Sequence, residues 1–259
     1  MDSAIIGPIK YLNQLNQAFP TGFHVCYMSL AHQYKDYRDF YRSRSRRGEY
    51  IILDYSNVTP RDIPQKTSIH LMRPVIEYIK PSVVILPDSD LHLKKTVQSA
   101  NDTVKYLRSR LGEVPVVGVV QGISEAQYGD CLETYKKISM DYPLKGLVLP
   151  SSMEKIIPRH QFITDIYKPC EFGLPIFISE VFDGLREPKV IASMDSLQDG
   201  LVQGGWTSMP ARLAYKGKSL STYSTIRPIP EPLTFLEDYI PDLMVENIES
   251  YLRIYNGRD

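Results

Sequence analysis

The chain has 259 residues, 43% hydrophobic and 23% charged, so it is long enough to bury a full core and too apolar to be a disordered chain. Thirty Lys and Arg balance thirty Asp and Glu, which excludes a uniformly basic nucleic-acid-coating protein while leaving room for a local basic face. No apolar run approaches the roughly 18 residues of a membrane span, and the N-terminal stretch is too polar for a signal peptide. Cys26, Cys131 and Cys170 are too dispersed for a disulfide framework or a zinc site. A cytoplasmic protein with no metal and no cofactor is expected.

In chain order, apolar runs at residues 24–30, 50–55, 83–87, 115–121, 144–149 and 175–181 read as strands. They are nearly continuous and rich in β-branched residues, the pattern of parallel strands buried on both faces. Weaker runs at 189–193 and 205–208 complete a set of eight. Helices are expected between them: 31–47, 68–79 (with Ile69, Met72, Ile76 and Ile79 at helical spacing), 91–111 and 125–140. Ser124 and Gln127 form a capping box at the start of the last of these. The glycines of 200–205 read as a helix end and turn, 227–232 as a proline-stiffened connector, and 233–255 as a final amphipathic helix broken at Pro241. Alternating strands and helices over this length predict one (β/α)8 barrel spanning 1–259, closed by the 233–255 helix, with an open doubly wound sheet as the alternative.

In such a barrel, chemistry gathers where strands end. Apolar runs here end in Asp54, in Asp88 followed by Asp90, in Gln121-Gly122, in Pro150-Ser151-Ser152, near Glu180, towards Asp195, and in Thr207-Ser208. Carboxylates and an amide converging on one mouth suit acid/base work, or recognition of the N–H and carbonyl edge of a heterocyclic base. Any single aspartate here reads equally well as a helix cap. A metal set of Asp54, Asp88 and Glu180 is disfavoured because no histidine stands at a strand end. Dinucleotide, Walker and serine-hydrolase motifs are absent.

Residues 32–47 carry six Lys/Arg against two Asp, with Tyr34, Tyr37, Phe40 and Tyr41 interleaved. The aromatics fit the core side of a barrel helix. Arg42, Arg44, Arg46 and Arg47 are dense enough to suggest phosphate contacts beside the mouth.

The segments AHQYKDYRDFYRSRSRRGEYIILD, VVILPD, VVGVVQG, LKGLVLP and WTSMPARLAYKG, spread over about residues 23–217, resemble the tRNA-guanine transglycosylase superfamily, and most of all the phage-type DNA 7-deazaguanine transglycosylase-like proteins. The resemblance implies a barrel that exchanges guanine in DNA or tRNA for a 7-deazaguanine. Asp54 would be the catalytic acid/base. Asp88 and Gln121-Gly122 would recognise the base, and the backbone of Leu149 and Pro150 would face it. Arg212 would hold phosphate. The sequence departs from the family pattern at the nucleophile position, which holds Trp206, and after Asp54, where Tyr55-Ser56-Asn57 replace a glycine pair; Asp195 or Asp199 would substitute only under a different register. The zinc site of the tRNA enzymes is also absent. The alternatives are a non-catalytic paralogue that binds nucleic acid or a nucleobase as a subunit, using Trp206 to stack a base, and a barrel enzyme acting on a small metabolite. A partner protein or a homo-oligomer is compatible with either.

Overall fold

The structure is a computed structural model that describes residues 2–55, 69–179, 190, 200–220 and 241–255. Its strands are β1 (Asp2–Ile5), β2 (Phe23–Tyr27), β3 (Tyr50–Asp54), β4 (Val83–Ile85), β5 (Val116–Val119), β6 (Leu144–Leu149), β7 (Ile176–Ser179) and β8 (Val202–Thr207). The helices around them include α1 (Leu12–Ala18), α2 (Met28–Gln33), α3 (Lys35–Arg46), α4 (Met72–Ile79), α5 (Leu93–Leu111), α6 (Glu125–Asp141), α7 (Arg159–Phe162), α8 (Met209–Tyr215) and α9 (Pro241–Tyr255).

The eight strands form one sheet in the order β1-β8-β7-β6-β5-β4-β3-β2, and every pairing is parallel. This is a (β/α)8 barrel, as expected, in place of an open doubly wound sheet. It is nearly closed: β1 and β2 stand side by side at the ends of the hydrogen-bonded order and share no ladder.

Three differences from the expected elements have clear causes. Asp2–Ile5 is a strand because β8 offers it an edge, with Asp2 beside Gly204 and Ile5 beside Thr207; four residues beginning Asp-Ser carry no strand signal of their own. Residues 202–207, including Gly204 and Gly205, form β8 rather than a helix end and turn, and only Gly200 has the positive φ (68°) of a turn. The run at 189–193 lies outside the described residues except for Val190, which is helical. The strand expected over 24–30 ends at Tyr27, where Met28 already opens α2, and the helix expected over 31–47 is broken by the extended backbone of Tyr34 between α2 and α3. The Ser124 hydroxyl accepts from the Gln127 N–H (3.3 Å), and the Gln127 side chain reciprocates by accepting from the Ile123 N–H (3.3 Å). Pro241 is the first described residue of α9, and the connector expected over 227–232 and the helix expected over 233–240 lie outside the described residues.

Inward and outward faces follow from pairing. Phe23, Tyr50 and Phe177, from β2, β3 and β7, stack on one another across the barrel, with ring centroids 6.0–6.4 Å apart and interplanar angles of 9–19°. Gly146 leaves room for this layer, since a Cβ there would stand 2.8 Å from the Phe177 ring. Strand alternation then sets Tyr27, Ile52, Asp54, Ser179 and Trp206 on the inner face as well.

The outer face is closed by helix tyrosines. The Tyr135 hydroxyl accepts from the Val119 N–H and donates to the Val119 carbonyl, both at 3.0 Å, and its ring lies against Gly118. A Cβ at Gly118 would stand 2.4 Å from that ring, which is buried and tethered at its far end. Gly118→Ala is therefore expected to destabilise the protein by about 1–3 kcal/mol through overpacking. A denaturant-unfolding midpoint equal to wild type would disprove this.

Candidate active site at the barrel mouth

β3, β4 and β5 are neighbours, so the residues that end them meet at one rim. Asp54, the last residue of β3, is 4% exposed and inward-facing. Gln121, two residues beyond β5, is buried, and its Nε2 donates to Asp88 Oδ2 at 2.7 Å. Its Oε1 accepts from the Leu91 N–H at 3.0 Å. Both ends of the amide are used, which fixes its orientation and ties the β4–α5 loop to the end of β5.

That loop is held tightly. The Thr96 hydroxyl accepts from the Ser89 N–H (2.9 Å) and donates to the Ser89 carbonyl (3.2 Å). Leu91 sits at φ 56°, a left-handed conformation that costs a non-glycine residue about 1–3 kcal/mol and that clusters at functional sites. Burial pushes the Asp88 carboxyl above its ordinary value; the Gln121 hydrogen bond opposes the shift and the charge of Asp90 adds to it. A buried carboxyl raised above its ordinary value at a barrel rim is a candidate for moving protons.

Other expected site residues have different surroundings. A Cβ on Gly122 would stand 3.0 Å from Gln127 Cβ, so the glycine lets the strand end approach α6 closely. The Leu149 carbonyl, expected to face a base, instead accepts from Arg159 Nη1 at 3.1 Å. Pro150 starts a 3-10 turn, its carbonyl accepting from the Met153 N–H. Trp206 lies at the end of β8 between Ala4 and Ser179 and is 1% exposed, so its indole is core packing rather than an open stacking platform. Arg212 lies one turn into α8, on the mouth side. Glu180, Asp195 and Asp199 lie outside the described residues.

The arginines of α3 do not lie beside the mouth. Helices of this fold run antiparallel to the strands, so the last turn of α3 comes down beside the start of β3. Ser45 Oγ donates to the carbonyl of Lys80, which closes α4 just ahead of β4. Arg44 pairs with Glu49 at 3.5 Å and lies 4.9 Å from the centre of the Phe40 ring, and Arg42 lies 4.1 Å over Tyr78. Arg46 and Arg47 are exposed at that same far end. Tyr37 and Tyr41 are buried against the barrel, with the Tyr37 hydroxyl accepting from the Tyr27 N–H at 3.0 Å, so these aromatics are core.

Sequence reasoning missed Arg159. It is fully buried and its Nη1 donates to the carbonyls of Leu149 (3.1 Å) and Ser179 (2.5 Å), joining the ends of β6 and β7. Glu154 Oε1 stands 3.5 Å from its Nε and accepts from its backbone N–H at 2.7 Å. An arginine after a proline in a loop carries no signal of burial. Among the described residues, no group of three or more His, Cys, Asp or Glu is placed to hold a metal. No described helix is long and apolar enough to cross a membrane.

No family model and no curated protein matches the chain. Solved structures do. It shares its fold with D-psicose 3-epimerases. One, solved in the presence of D-fructose, aligns with a TM-score of 0.52 and 10% identity over 99% of this chain and 100% of its own. Another, from Clostridium cellulolyticum H10 and solved with D-tagatose, aligns with the same score and identity over 99% of each chain. The expectation of a guanine transglycosylase, a pentosyl-transferring enzyme acting on DNA or tRNA with a 7-deazaguanine base, is overturned: these neighbours are sugar epimerases. The non-catalytic nucleic-acid-binding alternative falls with it. Its physical basis is also weakened, because the four α3 arginines meant to hold phosphates are at the wrong end of the barrel, with only Arg212 on the mouth side, and Trp206 is sealed in the core.

Proposed function

We propose that this chain is an enzyme that moves a proton on a small polar carbonyl compound, of the sugar epimerase or isomerase kind, at the C-terminal mouth of the barrel. The observation that carries the reading is Asp88: a carboxyl raised by burial, aimed by Gln121, beside a strained loop at a barrel rim. The epimerase fold of the neighbours supports it.

Epimerisation beside a carbonyl removes a proton from carbon and returns one to the opposite face. Two carboxyl groups in different states suit that task. Asp88, whose carboxyl burial pushes above its ordinary value, is assigned as the donor, and Asp54, on the inner face of the adjacent strand, as the acceptor. Solvent then restores the starting protonation. Gln121 is a positioning residue that holds Asp88 and the loop.

The test is deuterium uptake. The protein is incubated in D2O with D-fructose and D-tagatose, with and without added divalent cations, and the carbon-bound hydrogens are followed by proton NMR. Exchange beside the carbonyl above a protein-free control is expected. No exchange with either sugar under any of these conditions would overturn the reading.

A further inference from the structure

The arginines of α3 line a groove of their own, at the end of the barrel opposite the mouth. Asp39, Arg42, Ser43, Arg46 and Arg47 share one side of the helix by their i, i+3, i+4, i+7, i+8 spacing, and Tyr78 of α4 forms the other wall. The groove holds about 510 Å3, within the roughly 300–1,000 Å3 of small-molecule sites. Ser43, Arg46 and Arg47 are exposed and Arg42 is half-buried, so all four side chains are within reach of a ligand.

The groove carries positive charge that nothing nearby cancels. The side chains of Arg42, Ser43, Arg46 and Arg47 make no hydrogen bond or ion pair with the rest of the chain. The acids around them are already committed. Asp39 accepts from Lys35 Nζ at 2.5 Å and from the Tyr78 hydroxyl, and these two donors hold its carboxyl below its ordinary value. Glu77 pairs with Arg73 at 2.9 Å, and Glu49 with His24 and Arg44. Asp36 stands in the first turn of α3, about 9 Å of helix rise from Arg42 and about 15 Å from Arg46. Arg38 adds a further cation, 5.0 Å from the centre of the Tyr78 ring. The end of α3, whose carbonyls would oppose an anion, is capped: those of Arg44 and Ser45 accept from the N–H groups of Arg47 and Gly48.

One guanidinium is also positioned in advance. Arg42 lies over the Tyr78 ring, and that ring is tied to α3 through Asp39. A stacked planar fork loses less freedom on gripping an oxyanion than a free side chain does. We propose that this groove binds the phosphate monoester of a small soluble ligand, a dianion bridged by Arg42, Arg46 and Arg47 with Ser43 as a further donor. A soluble ligand is favoured over a lipid headgroup because none of the exposed large apolar side chains among the described residues, Ile123, Met140, Ile156 and Tyr215, is on α3 or α4 to enter a membrane. The site is independent of the mouth and of the activity proposed there.

Glycerol 3-phosphate is a suitable probe, with dimethyl phosphate, a monoanion, and glycerol as its counterparts. Titration followed by NMR of the arginine Nε–Hε groups is expected to show saturable shifts at Arg42 and Arg46, and binding at least tenfold weaker for the two counterparts. Arg46→Gln and Arg47→Gln, both exposed and harmless to the fold, are each expected to weaken binding roughly tenfold, the scale of one charge-assisted hydrogen bond. Arg42→Lys, which keeps the charge and loses the stacked fork, is expected to weaken it as well. Lys94→Gln, an exposed cation at the start of α5, is expected to leave it unchanged. Phosphatidylcholine vesicles containing phosphatidic acid are expected not to retain the protein once glycerol 3-phosphate is in excess. The proposal is overturned if glycerol 3-phosphate gives no saturable shift, if dimethyl phosphate binds as tightly, or if Arg46→Gln and Arg47→Gln both bind like wild type. Binding to the vesicles that excess glycerol 3-phosphate does not displace would also overturn it.

Discussion

Replacing Arg159 with methionine is expected to destabilise the protein by about 3–5 kcal/mol, the range for removing one partner of a buried charged pair. The methionine stem fills much of the same space, so the loss is polar rather than steric. The carbonyls of Leu149 and Ser179 lose the guanidinium they share, at the ends of two adjacent inner strands. Glu154 loses its counter-ion, although its side chain is 27% exposed and water recovers part of that loss. Glu154→Gln, which keeps an acceptor for the Arg159 N–H, is expected to cost much less. Urea unfolding of the two variants decides the matter: a loss below about 1 kcal/mol for Arg159→Met would show that the β6 and β7 ends are held by something else.

Asp88→Asn is expected to lower deuterium exchange by about 10²–10⁴-fold, the usual contribution of a positioned proton-transfer group. The amide keeps the shape and can still accept from Gln121, so geometry is preserved while the proton is lost. The same change is expected to raise stability at neutral pH. The Asp88 carboxyl lies above its ordinary value in the folded protein, so between that value and the raised one the folded state binds more protons than the unfolded state. Its contribution is therefore favourable at acid pH and is lost as the pH rises through the raised value. Asparagine has no such loss, and the gap between variant and wild type should widen from about pH 4 upwards. A variant less stable than wild type at pH 7, or one with full exchange, would remove Asp88 from the role assigned to it.

The transglycosylase expectation failed for a reason visible in the residues. Short segments such as VVILPD and VVGVVQG are what any buried parallel strand followed by a polar rim residue looks like. They report the barrel, and barrels host unrelated chemistries. The arginine run looked like a phosphate surface because composition does not say at which end of a helix a side chain lies. Only the antiparallel return of α3 along the barrel places Arg42, Arg44, Arg46 and Arg47 opposite Asp54 and Asp88.

What the sequence determined by itself was local: buried parallel strands, read from continuous apolar runs, the Ser124 cap, and the polar residues standing just past β3, β4 and β5. These follow from periodicity and from hydrogen-bonding needs within a few residues of one another. The tertiary structure decided everything that depends on a distant partner. β1 exists because β8 has a free edge, and Gly204 and Gly205 are strand because β1 and β7 flank them. Arg159 is buried because two strand ends present carbonyls to it, and the Asp88 carboxyl is raised because the fold buries it, against the opposing hydrogen bond from Gln121, 33 residues away in sequence. Such interactions form only when chain segments meet in space, and no short-range pattern encodes which segments will meet.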